Sequence, residues 1–147
     1  MNKRSKILFV SDGQAVKNLS ENINYFCECI ESRLITKISK REDSSSIKEM
    51  ICKEIEYYHP DFLFIDGLCF SYSNKYKIVA ALSEIKEHYK IKIIYWAKED
   101  PLFTTLTDCF AVISDLIFTV EEDFIGRYNV IGSVGKECYF CHLQQIV

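Results

Sequence analysis

Acidic residues close three apolar runs of this chain. Asp12 follows Lys6–Ser11, Asp66 follows Phe62–Ile65, and Glu99 and Asp100 follow the run from Ile91 to Trp96. If these runs are parallel strands, their carboxyl ends share one sheet edge, which is where open α/β sheets handle ligands. Two chemistries then suit the residues. In the first, Asp66 accepts a phosphoryl group while Asp12 helps to hold a hard cation such as Mg²⁺, which takes carboxylate oxygens. In the second, Glu99 or Asp100 holds sugar hydroxyls or serves as a general base. For any one of these acids alone, a solvated carboxylate capping a turn is the commoner role.

Trp96 is the single tryptophan and stands at a run's end beside Lys98, Glu99 and Asp100. There it suits the floor of a sugar site, or equally a place in the core. Pro101 keeps Asp100 out of a helix, so the charged cluster sits in an extended or turn conformation. The candidate binding set is therefore Asp12, Gly13, Trp96, Lys98, Glu99 and Asp100, with Asp66 as the alternative phosphoacceptor.

Other motifs carry less. Cys138-Tyr139-Phe140-Cys141-His142 matches a haem-attachment string. Covalent haem belongs to exported proteins, however, and this string falls on an expected strand. Zinc held by Cys138, Cys141 and His142 lacks a fourth ligand, so strand and tail are the expected roles of these residues. Ser11-Asp12-Gly13-Gln14 lacks the glycine spacing of a dinucleotide fingerprint, and no P-loop string occurs. His59 and His88 have no nucleophile nearby in sequence. Neither a cofactor nor a metal is expected.

The elements that must position these residues follow from periodicity. Continuous apolar runs at Lys6–Ser11, Phe62–Ile65, Ile91–Trp96 and Leu116–Val120 read as buried parallel strands. Leu34–Ser39 reads as a half-exposed strand, and Glu137–Phe140 as a last one. Between them, apolar residues at helical spacing predict a helix from Val16 to Arg33. A second helix starts at a capping box of Ser46 and Glu49 and runs to Tyr58. A third carries Ile78, Leu82, Ile85 and Tyr89, and a short one runs from Phe103 to Ile113. Glu121–Tyr128 reads as a further short helix, and Gly132–Gly135 as a loop. This alternation predicts one α/β domain over 1–147, a Rossmann-like three-layer α/β/α unit whose mostly parallel sheet has five or six strands.

Bulk properties narrow the classes further. A net charge of −3 argues against a nucleic-acid partner, which needs a basic surface. The first apolar run is too short for a signal peptide or a membrane span, so a cytoplasmic location is expected. Seven cysteines without an export signal read as reduced thiols, several at core positions.

From Pro60 onward the chain resembles the amino-terminal domain of spore-maturation CgeB-like proteins, which are similar to GT-B glycosyltransferases. The residues that carry the likeness are His59-Pro60-Asp61-Phe62-Leu63-Phe64-Ile65 and Trp96-Ala97-Lys98-Glu99-Asp100-Pro101. Phe103, Ser114-Asp115-Leu116-Ile117-Phe118-Thr119 and Ile125-Gly126-Arg127-Tyr128 follow in order. The resemblance implies a Rossmann-like half that faces a glycan acceptor, while a second half binds the sugar-nucleotide donor. The chain is then expected to bind an acceptor or a partner protein, such as a donor-binding subunit or a second copy, without being catalytic alone. The family's Leu-Pro segment after the last strand is replaced by Cys141-His142-Leu143. The alternative is a receiver-like signalling or interaction domain with Asp66 as phosphoacceptor. Against that alternative, the paired acids after the first run are reduced to Ser11-Asp12, and Thr119-Val120-Glu121 lacks the lysine expected there.

Overall fold

The computed structural model describes residues 3–11, 13–35, 38, 43–66, 69–70, 72–97, 104–120, 122–123, 126 and 137–140. Six strands form one sheet: β1 (Ser5–Val10), β2 (Ile30–Ile35), β3 (Phe62–Asp66), β4 (Lys92–Ala97), β5 (Leu116–Thr119) and β6 (Glu137–Phe140). Among the described residues four α-helices intervene: α1 (Gln14–Phe26), α2 (Ser44–Tyr58), α3 (Lys75–Tyr89) and α4 (Thr104–Ile113). The spatial order is β2-β1-β3-β4-β5-β6, and every neighbouring pair is parallel. The chain thus forms a Rossmann-like α/β/α unit, with the flavodoxin-type order rather than the dinucleotide-binding 3-2-1-4-5-6.

That order decides which helix covers which face. The chain first steps outward from β1 to β2, then returns past β1 and moves steadily in the other direction. Right-handed crossovers therefore place α1 on one face and α2, α3 and α4 on the other. The core divides accordingly. Leu8, Leu63, Ile93, Tyr95 and Ile117 pack with Ile51 of α2, Leu82 of α3 and Phe110 of α4. On the opposite face Phe9, Phe64, Ile94 and Trp96 pack with Val16 and Leu19 of α1. Alternation along each strand produces both sets from one run of apolar residues.

Two aspartates fix the register at the amino ends of the strands. Just before β3, Asp61 exchanges main-chain bonding with Lys6: its N–H donates to the Lys6 carbonyl at 2.9 Å, and its carboxylate accepts the Lys6 N–H at 2.9 Å. Just before β5, Asp115 repeats the arrangement with Ile93, with both bonds at 2.8 Å.

Three sequence expectations are corrected. The helix expected from Val16 to Arg33 ends at Phe26, and β2 starts at Ile30 rather than Leu34. Residues 30–35 are drawn into a parallel ladder beside Ser5–Val10, and this tertiary pairing overrides helical spacing. The cap of α2 is Asp43 rather than Ser46. The Asp43 carboxylate accepts the Ser46 N–H at 2.8 Å, and bonds from Ser46 hold that carboxyl below its ordinary pKa. The helix expected over Glu121–Tyr128 and the loop Gly132–Gly135 fall largely or wholly outside the described residues.

Tyr58, at the end of α2, gives a pH-dependent prediction. Burial pushes its phenol up to about 12, the Glu31 and Asp61 carboxylates adding to the shift and Arg33 opposing it. A folded-state pKa above the ordinary value of about 10 means the neutral phenol is favoured by folding. That contribution is present below the unfolded value and is lost as pH rises through about 12. Urea midpoints should therefore fall across this window, and Tyr58→Phe should remove part of the fall. A difference between the two proteins that is independent of pH would contradict the assignment.

Candidate functional site

Because the strand order reverses between β1 and β3, the chain leaves those two strands in opposite directions and opens a crevice at their carboxyl ends. Ser11 and Asp66 stand at that point, 0% and 1% exposed. The Ser11 hydroxyl donates to Asp66 Oδ2 at 2.8 Å and accepts the Gly13 N–H at 3.0 Å. Both side chains lie on the α1 face, in step with Phe9 and Phe64 below them. Gly13 is the N-cap of α1, in extended conformation and without a side-chain cap. Its carbonyl accepts the Lys17 N–H, so the helix rises directly from the crevice.

Other polar groups are buried along the same edge. Thr119 closes β5 with no exposure, and Lys75 opens α3 at 5% exposure, its ammonium 4.9 Å from the Tyr76 ring centroid. Cys69, also buried, donates to the Val10 carbonyl with sulfur 3.6 Å away. Ser11, Asp66, Lys75 and Thr119 are most of the buried polar side chains among the described residues. The exceptions are Ser20 in α1 and Ser114 just before β5, whose hydroxyl donates to the Phe110 carbonyl at 2.8 Å, so four of the six gather at the carboxyl edge.

The sequence candidates divide into three groups. Gly13 and Asp66 are at the edge as expected. Asp12, Lys98, Glu99, Asp100, Cys141 and His142 lie outside the described residues. Trp96 is a correction to the sugar-floor expectation. It is 1% exposed and lies within the α1-side core, 6.5 Å from Phe64 between ring centroids in an edge-on arrangement. Alternation explains the difference: Trp96 shares a face with Ile94, so its ring enters the layer beneath α1. Ser11, Lys75 and Thr119 were missed as site residues. For Ser11 the available signal was a hydroxyl between a buried strand and an Asp-Gly turn. Nothing in the sequence marks Lys75, whose burial is a tertiary fact.

Ser11 has one proton, and it is committed to Asp66, so the pair serves first as a clasp between β1 and β3. Ser11→Ala should lower stability by about 1–3 kcal/mol, since a buried carboxylate loses a donor. Denaturant unfolding measures this, and an unchanged midpoint would mean that the clasp carries no load.

A groove of about 570 Å³ between α2 and α3 lies away from this edge, lined by Lys48, Cys52, Glu84, Glu87, His88 and Tyr89. Its charges largely answer one another: Lys48 pairs with Glu84, and the Tyr89 hydroxyl donates to Glu56 at 2.7 Å. Among the described residues no group of three or more His, Cys, Asp or Glu could hold a metal ion. No helix among them is long and apolar enough to cross a membrane.

No family model matches the chain, and no curated protein matches it. Among solved structures it is similar to the L-threonine dehydrogenase of the common hospital pathogen Clostridium difficile, at 12% identity and a TM-score of 0.43. The match covers 65% of this chain and 37% of the dehydrogenase chain, little more than a third of that protein.

Proposed function

We propose that this chain is a binding domain that receives a polar ligand or partner at the carboxyl edge, over the β1/β3 switch point. In this reading it is the acceptor- or partner-facing half of a glycosyltransferase-like assembly for glycan or cell-surface modification, and it does not catalyse transfer alone. The observation that carries the reading is the buried Ser11–Asp66 bond where the strand order reverses, beside the start of α1. Open α/β sheets take ligands at that point. The resemblance to CgeB-like sequences supplies the glycan context, and Lys98, Glu99 and Asp100 are the residues proposed to meet the acceptor.

The test is an amide-resolved titration of the labelled protein with chitooligosaccharides and with UDP-N-acetylglucosamine. Perturbations centred on Ser11 and Gly13, without sugar transfer or nucleotide release, are expected. Turnover by the purified chain would overturn the non-catalytic assignment. Perturbations confined to the α2–α3 groove would overturn the site.

The strand order favours a second reading, because flavodoxin-type sheets with an aspartate ending the third strand are also the frame of receiver-like domains. Acetyl phosphate with Mg²⁺ should then label Asp66, and Asp66→Asn should abolish the labelling. Near-complete burial of Asp66 and the presence of Thr119 at the end of β5 both weigh against this outcome.

A further inference from the structure

We infer that the outer edge of β2 is a two-fold pairing surface for a second copy of this chain, held closed by Asn24. Along β2, residues alternate in the direction of their main-chain N–H and C=O groups. The Cys29 carbonyl accepts the Ser5 N–H at 2.9 Å, so odd-numbered residues bond towards β1 and Ile30, Ser32 and Leu34 bond outward. Among the described residues β1 is the only strand paired with β2. Such an edge templates further strands unless something blocks it.

Asn24 is the block. Its Nδ2 donates to the Ser32 carbonyl at 2.9 Å, and its Oδ1 accepts the Ser32 N–H at 2.6 Å. A side-chain amide thus occupies both groups that a neighbouring strand's peptide would use. The Ser32 hydroxyl, donating to the Ser20 carbonyl at 3.0 Å, ties the same residue to α1. β2 has no proline and no lysine, and its two charged residues, Glu31 and Arg33, lie over the α2 face paired with Lys6 and Glu54.

The second copy is identified by self-complementarity. An antiparallel two-fold pairing centred on Ser32 sets the two copies of Ser32 opposite each other, using the groups that Asn24 now holds. It also sets Ile30 opposite Leu34 of the other copy, with both pairs bonding outward. On the α2 side of the sheet it sets Glu31 opposite Arg33 of the other copy, twice by symmetry. Opposite charges directly across a strand pair attract, and like charges repel. Exposed aromatics flank the strand on both sides. Tyr25 and Phe26 are 83% and 73% exposed and edge-on to each other, and Tyr57 is 72% exposed beneath the Arg33 guanidinium.

Sedimentation equilibrium tests this. Asn24→Ala should tighten self-association by about tenfold or more over the unaltered chain, because the edge no longer has to release its side-chain amide. In that background Glu31→Arg alone and Arg33→Glu alone should each sediment as monomers. Mixed together they should form a heterodimer, since every cross-strand pair is then Arg against Glu, and loss of folding could not produce that recovery. If Asn24→Ala does not stay folded by circular dichroism, Asn24→Leu replaces it, keeping the side-chain volume and losing both the donor and the acceptor. Latch-free protein that self-associates no more than the unaltered chain would overturn the inference. So would a dimer that survives both single reversals, or a mixture that stays monomeric.

Discussion

Replacing Trp96 with alanine should cost about 3–5 kcal/mol of folding stability, as truncation of a large buried aromatic does. Small domains have a total of roughly 5–15 kcal/mol, so this one change is expected to leave the fold marginal at room temperature. The magnitude follows from position. Trp96 is among the largest fully buried side chains, in the layer formed by Phe9, Phe64 and Ile94 under Val16 and Leu19 of α1. Phe9 lies 4.7 Å from Phe64 and Phe64 6.5 Å from Trp96, so the truncation opens a void at the end of an aromatic row. A void of that kind collapses only partly, because its neighbours stand on strands of fixed register. Trp96→Phe should cost less, about 1–2 kcal/mol, by keeping most of the volume. Urea denaturation followed by circular dichroism suits both variants, since the only tryptophan is the residue removed. Near-normal stability in Trp96→Ala would restore the sugar-floor role that burial argues against.

How far the sequence revealed this molecule depends on which interactions are local. The buried strands were legible because each is a short apolar run between breakers, and burial on both faces demands such runs. The edge strand was not. Ile30 follows Ile23, Phe26 and Cys27 at helical spacing, and only pairing with Ser5–Val10 shows that residues 30–35 are extended. The start of α2 was misplaced because Asp43, Ser44, Ser45 and Ser46 can all cap a helix. The Asp43 carboxylate takes the Ser46 N–H, leaving Glu49 outside any box.

The candidate site divides along the same line. Strand ends predict that Asp66 and Gly13 reach the carboxyl edge, and both do. Which side chains turn inward is set by alternation relative to α1, and that buries Trp96 while joining Ser11 to Asp66. The strand order β2-β1-β3 was also beyond reach, since a βαβ pattern alone does not say which way each crossover steps. That order, rather than any motif, selects the β1/β3 crevice.

The residues behind the family resemblance include Asp61 and Asp115, and the structure gives both a folding role. Asp115→Ala should lower stability by about 1–3 kcal/mol, the cost of leaving a buried or half-buried donor without its acceptor. The main loss is the Ile93 N–H bond at 2.8 Å, which ties β4 to the residue just before β5, one step ahead of the first pair, Ile94 and Leu116. The accompanying ion pair with Lys86, at 3.0 Å, is partly solvated on both sides and should add less than about 1 kcal/mol. Asp115→Asn separates the two, because its amide oxygen can still take the Ile93 N–H while the charge is gone. It should therefore retain most of the stability, and the remainder should depend little on salt. Asp61→Ala should behave alike for the β1–β3 pair, whose Lys6 N–H it accepts at 2.9 Å. The two aspartates share no partner, so the double alanine variant should lose the sum of the single losses to within about 0.5 kcal/mol. Denaturant titration of the four variants decides it. If Asp115→Asn proved as damaging as Asp115→Ala, the carboxylate's charge, and not its grip on the main chain, would be what holds β4 and β5 in register.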